Sequence, residues 1–354
     1  MFLTNILKNV RERFIMFLYW GESGFFCVIF NLQSFLTKKN GRKDSRGLCH
    51  KRQGLPLKDE GKMKADLHCH TMLSDGTLGI EELIQVAKKS GVDTIAITDH
   101  DTLAGTVRGA IIGKRFNINV IAGVELSCWD DERNRKVHLL CYMPDHPDRL
   151  EGLCMRTSLA RKRAGKLMVI KAVAKYPLTS EFIAKCAQGS TNIYKQHIMK
   201  ALSYIGYADG LFGETYRQLF KEKGEKNIAV PVKYPDVFEV LEEILGAGGI
   251  AVLAHPYLYD SIDLLDELVE KGLCGVEAWH PTMSEEQSEA MVKYAKKHKL
   301  LAIGGSDFHG CFAAHNSKLG DVTTPEANLN EFLGYKAKVK RQKKKAEKAA
   351  QSAE

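Results

Sequence analysis

Two histidines one residue apart, His68-Cys69-His70, close an apolar run that begins just after Met63. Alternate side chains of a strand share a face, so both imidazoles point one way and Cys69 the other. Imidazole is the commonest protein metal ligand, yet such a pair alone equally describes two polar residues at a strand end. Recurrence turns it into chemistry. Asp75 follows in a Ser-Asp-Gly turn, and later apolar runs end in Thr98-Asp99-His100-Asp101, Gly123-Val124-Glu125, Ala254-His255-Pro256 and Ser306-Asp307-Phe308-His309, while another carries His138.

The candidate set is therefore His68, His70, Asp75, His100, Glu125, His138, His255, Asp307 and His309, six imidazoles and three carboxylates. A catalytic zinc site uses about three protein ligands, so nine predict two or three ions. The mixture suits Mn²⁺, Fe²⁺ or Zn²⁺ and suits Mg²⁺ or Ca²⁺ poorly. Glu125, a carboxylate among imidazoles, is placed to bridge two ions. Such ions lower the pKa of bound water towards about 7 and neutralise phosphoryl charge, which predicts phosphoester hydrolysis by metal-bound hydroxide with no covalent protein intermediate.

Seven short β-rich runs can be read, 65–70, 94–99, 119–125, 137–142, 250–255, 275–280 and 301–307, and six of them carry a candidate at or near one end. Most are separated by helical periodicity, as in Ile80–Ser90, which has Glu81 and Glu82 in its first turn, Lys88 and Lys89 near its end, and Gly91 as a stop. Strands alternating with helices predict a parallel α/β sheet or barrel. In β/α barrels one end of the strands carries the chemistry. About a hundred residues separate Tyr142 from Ile250, with helices over 161–175, 194–206 and 236–246. This reads as a helical insertion between the fourth and fifth strands, at about 150–235, of a kind that caps a site and touches substrate.

The strings Asp66-Leu67-His68-Cys69-His70, Thr98-Asp99-His100-Asp101, Gly123-Val124-Glu125, Val137-His138, Ala254-His255-Pro256 and Ser306-Asp307-Phe308-His309 resemble the PHP (polymerase and histidinol phosphatase) superfamily, in order, over residues 63–325. The resemblance implies an α/β fold, a distorted seven-stranded β/α barrel, and a trinuclear metal site, often of Mn²⁺. The long insertion is similar to that of the nucleotide phosphatase and 5′→3′ exoribonuclease branch. That branch implies a phosphomonoester of a nucleotide or a nucleoside bisphosphate as substrate. A phosphodiesterase acting on short RNA ends, or on a cyclic ribose phosphate as in a related branch, is the alternative. A non-catalytic PHP module of the kind attached to some polymerases would be expected to lack ligands.

Other residues are candidates for the surrounding chemistry. Asp99 and Asp101 flank His100, and either is placed to orient a ligand imidazole or to serve as a strand-end or capping carboxylate. His280 closes the sixth run and is placed for proton transfer to the leaving group or for holding phosphate, or serves as a structural histidine. Arg161, opening the first inserted helix, and Lys195 and His197, near the start of another, are candidates for substrate phosphate. The nucleotide phosphatase branch commonly has Arg-Pro-His where this chain has Lys195-Gln196-His197; Lys lacks the bidentate fork of Arg. Trp279 and Tyr257 are candidates for stacking on a base.

The net charge of +8 lies in the tails: residues 1–62 carry +7 and 334–354 carry +6, leaving −5 between. The first segment is expected to be an extension outside the fold, with Met63 as the start of the barrel, and the last a basic disordered tail. A nucleic-acid-binding protein acting through these tails is the reading from another class, although no stable nucleic-acid complex is expected. No uninterrupted run of about 18 apolar residues occurs, so no membrane span is expected. Nine cysteines without CxxC pairs point to a reduced, cytoplasmic protein.

Overall fold

A computed structural model describes residues 14–21, 24–31, 63–313, 315 and 317–351. The chain divides into two units, Met1–Leu57 and Lys58–Glu354. In the first, β1 (Phe14–Gly21) and β2 (Gly24–Asn31) form an antiparallel pair with Phe14 opposite Asn31. The aromatic and β-branched content of both suits strands. The expectation that residues 1–62 stand apart from the fold otherwise falls outside the described residues.

The second unit is built on one seven-stranded mixed sheet, nearly closed into a barrel and surrounded by helices. Its strands are β3 (Ala65–Cys69), β4 (Thr94–Ile97), β5 (Asn119–Asp130), β6 (Arg135–Tyr142), β7 (Ile250–Leu253), β8 (Gly275–Trp279) and β9 (Leu301–Gly304), neighbours in that order. The segment after β9 brings the ends together: His70 N–H donates to Phe308 O at 2.8 Å and Phe308 N–H to His68 O at 3.2 Å. Every predicted run is a strand.

One strand departs from the parallel expectation. β6 is antiparallel to both β5 and β7, because only Asp131–Asn134 separate β5 from β6. Four residues close a hairpin but cannot make a parallel crossover. The reversal has a consequence for the site. It brings the first half of β6, with His138, to the barrel end where the parallel strands finish.

Helices α1 (Ile80–Lys89) and α2 (Thr106–Phe116) connect the first strands. The insertion consists of α3 (Glu151–Lys175), α4 (Ser180–Cys186), α5 (Lys195–Tyr204) and α6 (Glu214–Phe220). It has a core of its own, including Met168, Ile183, Ile198 and Phe220. Then α7 (Val237–Gly246), capped by the Asp236 carboxylate at 2.8 Å from Phe238 N–H, returns the chain to β7. Next come α8 (Leu265–Glu270) and α9 (Glu285–His298).

Two expectations change here. α3 starts ten residues before Arg161, and its buried stripe of Leu153, Thr157, Arg161, Ala164 and Met168 puts Arg161 inward in mid-helix. The basic segment 334–354, expected to be disordered, is helical as far as Gln351 within α10 (Glu326–Gln351). Leu329 and Phe332 anchor that helix in the core, and its Lys, Glu, Ala and Gln residues are strong helix formers that extend it. Among the described residues no helix is long and apolar enough to cross a membrane.

Candidate metal centre

All nine predicted donors meet at one end of the barrel, in four groups whose ligand atoms lie within 4.8 Å of one another. The groups are His70, Asp75, His100 and His309; His68, His70 and Asp307; His68, Glu125 and His255; and His100, Glu125 and His138. Glu125 is central and 1% exposed. Its Oε1 faces His138 Nδ1 at 2.5 Å and His255 Nε2 at 2.9 Å. Its Oε2 faces His100 Nδ1 at 3.0 Å, His70 Nε2 at 3.3 Å and His68 Nε2 at 3.5 Å. One carboxylate thus divides five imidazoles between its two oxygens. On the outer side His309 Nε2 lies 3.2 Å from Asp75 Oδ1.

The backbone bends to present these groups. His255 has φ 27° and Asp307 φ 49°, both in the left-handed region that L-residues rarely adopt. Strain of this kind concentrates at functional sites. Asp75 arrives on a tight loop in which Gly76 presses on the His70 carbonyl; a Cβ there would stand 2.5 Å from the oxygen.

Protons alone serve this cluster badly. Burial pushes the Glu125 carboxyl up, but His138, His100 and His68 around it hold it well below the usual range. Burial drives His138 down to about 3, whereas Asp307 and Glu125 override burial and carry His70 up to about 10. Even so, the buried atoms His68 Nε2, His70 Nε2, His100 Nδ1 and Asp75 Oδ1 have no hydrogen-bond partner. Buried polar atoms without partners are costly. Three imidazole nitrogens and one carboxylate oxygen left unpaired in a single cluster fit divalent cations, and the imidazole-rich set fits borderline ions.

The residues behind the donors differ from expectation. Asp99 accepts from Thr71 N–H (2.8 Å), Thr71 Oγ (2.7 Å) and Ser74 Oγ (2.6 Å). It therefore organises the loop that carries Asp75 instead of orienting an imidazole. Asp101 is likewise taken up, by Arg161 Nε (2.9 Å) and Ser127 N–H (2.9 Å). His280 is 3% exposed. Its Nδ1 accepts from Thr282 N–H at 3.2 Å and its Nε2 lies 3.4 Å behind Asp307 Oδ2. That places it beside Asp307 among the donors. Glu277, passed over in the sequence, faces His68 Nδ1 at 3.1 Å and accepts from His255 N–H at 2.7 Å. It locks two donors at once, as carboxylates behind ligand histidines do.

Comparison with known proteins agrees with this arrangement. A family model described as the PHP domain matches residues 66–252. The chain belongs to the PHP family. The phosphoribosyl 1,2-cyclic phosphate 1,2-diphosphodiesterase of Eggerthella lenta is 37% identical over 255 residues, covering 71% of this chain and 95% of that protein. A 5′-3′ exoribonuclease of Haemophilus influenzae is 30% identical over 257 residues, covering 70% and 90%. A crystal structure from Bifidobacterium adolescentis, described as a metal-dependent phosphoesterase, matches with a TM-score of 0.68 at 30% identity, covering 76% and 95%. This PHP chain is a metal-dependent phosphoester hydrolase.

Over the PHP donors opens a cavity of about 480 Å³. Lys136 and Lys195 line it, and among the described residues neither pairs with a carboxylate. Lys136 Nζ lies 3.4 Å from Tyr259 Oη and 5.2 and 5.5 Å from the Tyr259 and Tyr234 ring centres. Lys195 Nζ lies 5.5 Å from the Phe220 ring centre. Lys136 was legible in principle, since it precedes His138 by two residues on a strand and shares its face.

Other substrate contacts move. Arg161, expected at phosphate, lines the same cavity while its Nε and Nη2 donate to Asp101 and Ser127. His197 Nδ1 accepts from Tyr194 N–H at 3.0 Å, and burial pushes its pKa down to about 4, so it caps α5 as a neutral ring. Its neighbour Gln196 lines the cavity. Trp279 and Tyr257 are absent from the lining, where Tyr194, Tyr216, Tyr234 and Tyr259 stand. His315, given no role in the sequence, is at the same cavity.

Proposed function

We propose that this PHP enzyme hydrolyses a phosphoester of a small ribose phosphate that carries a second phosphate, a nucleoside bisphosphate being the leading candidate. The observation carrying this reading is the pair of ammonium groups, Lys136 and Lys195, that share the donor cavity without a carboxylate partner. Both are half-buried, and a cation partly withdrawn from water without its own anion favours a bound one. The volume suits a small ligand more than a polymer.

In this reading the nine donors hold two or three divalent ions, Mn²⁺ first, with Fe²⁺ and Zn²⁺ as alternatives. The ions would supply an acidified water and charge neutralisation at the scissile phosphate. Glu125 holds two donor groups at fixed separation. Glu277 keeps His68 and His255 aimed. Lys136 and Lys195 bind the second phosphate and so orient the first, while the tyrosines exclude water. The identity with the E. lenta diphosphodiesterase favours a second reading on the same parts, the opening of a cyclic ribose phosphate. The seven described cysteines are free, which fits a reducing cytoplasm.

A phosphate-release screen under Mn²⁺ tests the proposal. It compares a nucleoside 5′-monophosphate, a 3′,5′-bisphosphate, phosphoribosyl 1,2-cyclic phosphate and a short 5′-phosphorylated RNA. The second phosphate is expected to raise kcat/KM about 10–100-fold over the monophosphate, as a charge-assisted contact does, and Lys136→Met to erase the difference. No release from any compound would sink the proposal. We propose that residues 1–62 are dispensable, so a chain starting at Met63 should give the same profile; loss of activity there overturns that part.

Burial, aided by Lys221, Lys136 and Arg161, pushes the Lys195 ammonium down to about 8. Lysine is cationic below its pKa, so kcat/KM for the doubly phosphorylated substrate is expected to fall as pH rises through about 8. In Lys195→Arg, always charged, that limb should move to higher pH. An identical limb in the variant rules Lys195 out.

A further inference from the structure

Arginine keeps its proton, so an arginine turned into a protein interior must find acceptors. Arg161, on the buried stripe of α3, is 8% exposed. Its Nε donates to Asp101 Oδ2 at 2.9 Å and its Nη2 to Ser127 Oγ at 2.6 Å. The guanidinium lies between the rings of Tyr194 and Tyr234, 5.1 and 5.2 Å from their centres. Asp101 closes the ring, with its Oδ1 accepting from Ser127 N–H at 2.9 Å and its own N–H donating to Glu125 O at 3.0 Å. A helix of the insertion is thereby tied to β5 beside the central carboxylate.

The tie reaches one of the donors. Ser127 Oγ stands 3.4 Å from His138 Nε2, and His138 Nδ1 faces Glu125 Oε1. A neutral imidazole that offers Nδ1 to a cation carries its single proton on Nε2. The Ser127 hydroxyl has two acceptor positions, one for Arg161 and one for that proton. A second tie comes from the start of α5: Gln196 Nε2 donates to Asp75 Oδ2 at 3.2 Å. The residue before it is Lys195, so one end of α5 touches both the phosphate-binding cavity and an outer donor.

We propose that the helical insertion completes the metal centre: Arg161, through Ser127, and Gln196, on Asp75, are positioning residues that set the metal affinity of donors on the barrel. This rests on reading the nine donors as metal ligands. Substrate phosphate at Lys195 and metal at Asp75 are then coupled through one helix end.

Full-length protein stripped with chelator is titrated with Mn²⁺, and free Mn²⁺ is followed by electron paramagnetic resonance. Ser127→Ala, Arg161→Met and Gln196→Ala are compared with the parent, with circular dichroism in chelator checking the fold. Each variant is expected to weaken Mn²⁺ binding about 10–100-fold, the range typical of partners behind metal ligands. An unchanged isotherm in folded Arg161→Met, with a raised KM, makes Arg161 a substrate contact and overturns the proposal. Should Arg161→Met not fold, Ser127→Ala, which removes one oxygen, decides: an isotherm superimposed on the parent's overturns it equally. A parent that binds Mn²⁺ yet releases phosphate from nothing defeats the substrate reading and leaves this one standing. A parent that binds neither Mn²⁺, Fe²⁺ nor Zn²⁺ defeats both.

Discussion

Glu125→Gln is expected to abolish turnover, with a loss of about 10³-fold or more, beyond the 10–100-fold typical of groups behind the ligands. Both carboxylate oxygens are committed: Oε1 to His138 and His255, Oε2 to His100, His70 and His68. An amide keeps one acceptor and turns an NH₂ toward nitrogens that need a cation between them. Whichever way it flips, one donor group loses its anion and acquires a donor. If Oε1 is lost, His138 and His255 keep no carboxylate; if Oε2 is lost, only Asp75 and Asp307 remain beside His100, His70 and His68. Metal analysis of the purified variant should show ions missing relative to the parent, alongside the lost activity. Full metal content with activity within roughly ten-fold of the parent would falsify the central role given to Glu125.

Gly305→Ala is the second large effect, and it falls first on stability. Gly305 follows β9 where the sheet closes against β3. A Cβ at that position would stand 2.4 Å from His68 N, 2.5 Å from His68 Cβ and 2.9 Å from Asp66 Oδ1. Two of these three atoms are backbone or Cβ, which cannot swing away, so the strands must part. Forcing an extra carbon into a tight core costs about 1–3 kcal/mol, occasionally more. The displacement also moves His68 and, across the closure, Asp307. Urea unfolding of the metal-free protein measures the first effect, and Mn²⁺ titration the second. Gly152→Ala is the internal control. Nothing lies within 4 Å of a Cβ there, and in a helix alanine gains about 0.5–1 kcal/mol over glycine. Opposite signs for the two variants are expected; equal stability of Gly305→Ala and parent removes the argument from close approach.

The nine donors were legible because strand periodicity and strand ends are local properties. His68 and His70 share a face by alternation alone, and a histidine or acid ending run after run needs no knowledge of the sheet to be noticed. The groups that support them were less legible. Glu277 lies inside an apolar-looking strand, and only the closing of the sheet, with β8 beside β7, shows that its carboxylate meets His68 and the His255 amide. His197 reads like a ligand-class residue, but its position three residues into α5 makes it a cap.

Where the sequence and the structure part, the cause is contact between segments distant in the chain. Arg161 reads as a phosphate contact at a helix start as long as its helix is taken to begin there. Once α3 begins at Glu151, the same residue falls on the inward stripe, and Asp101 and Ser127 take up its Nε and Nη2. The sequence by itself pointed to the reaction class, the candidate donors and the seven strands that carry or flank them, since residue type, a spacing of two and the resemblance to the PHP family are all legible in it. Only the tertiary structure decided which cations face the cavity, because burial and pairing depend on what the closed barrel and its insertion bring together.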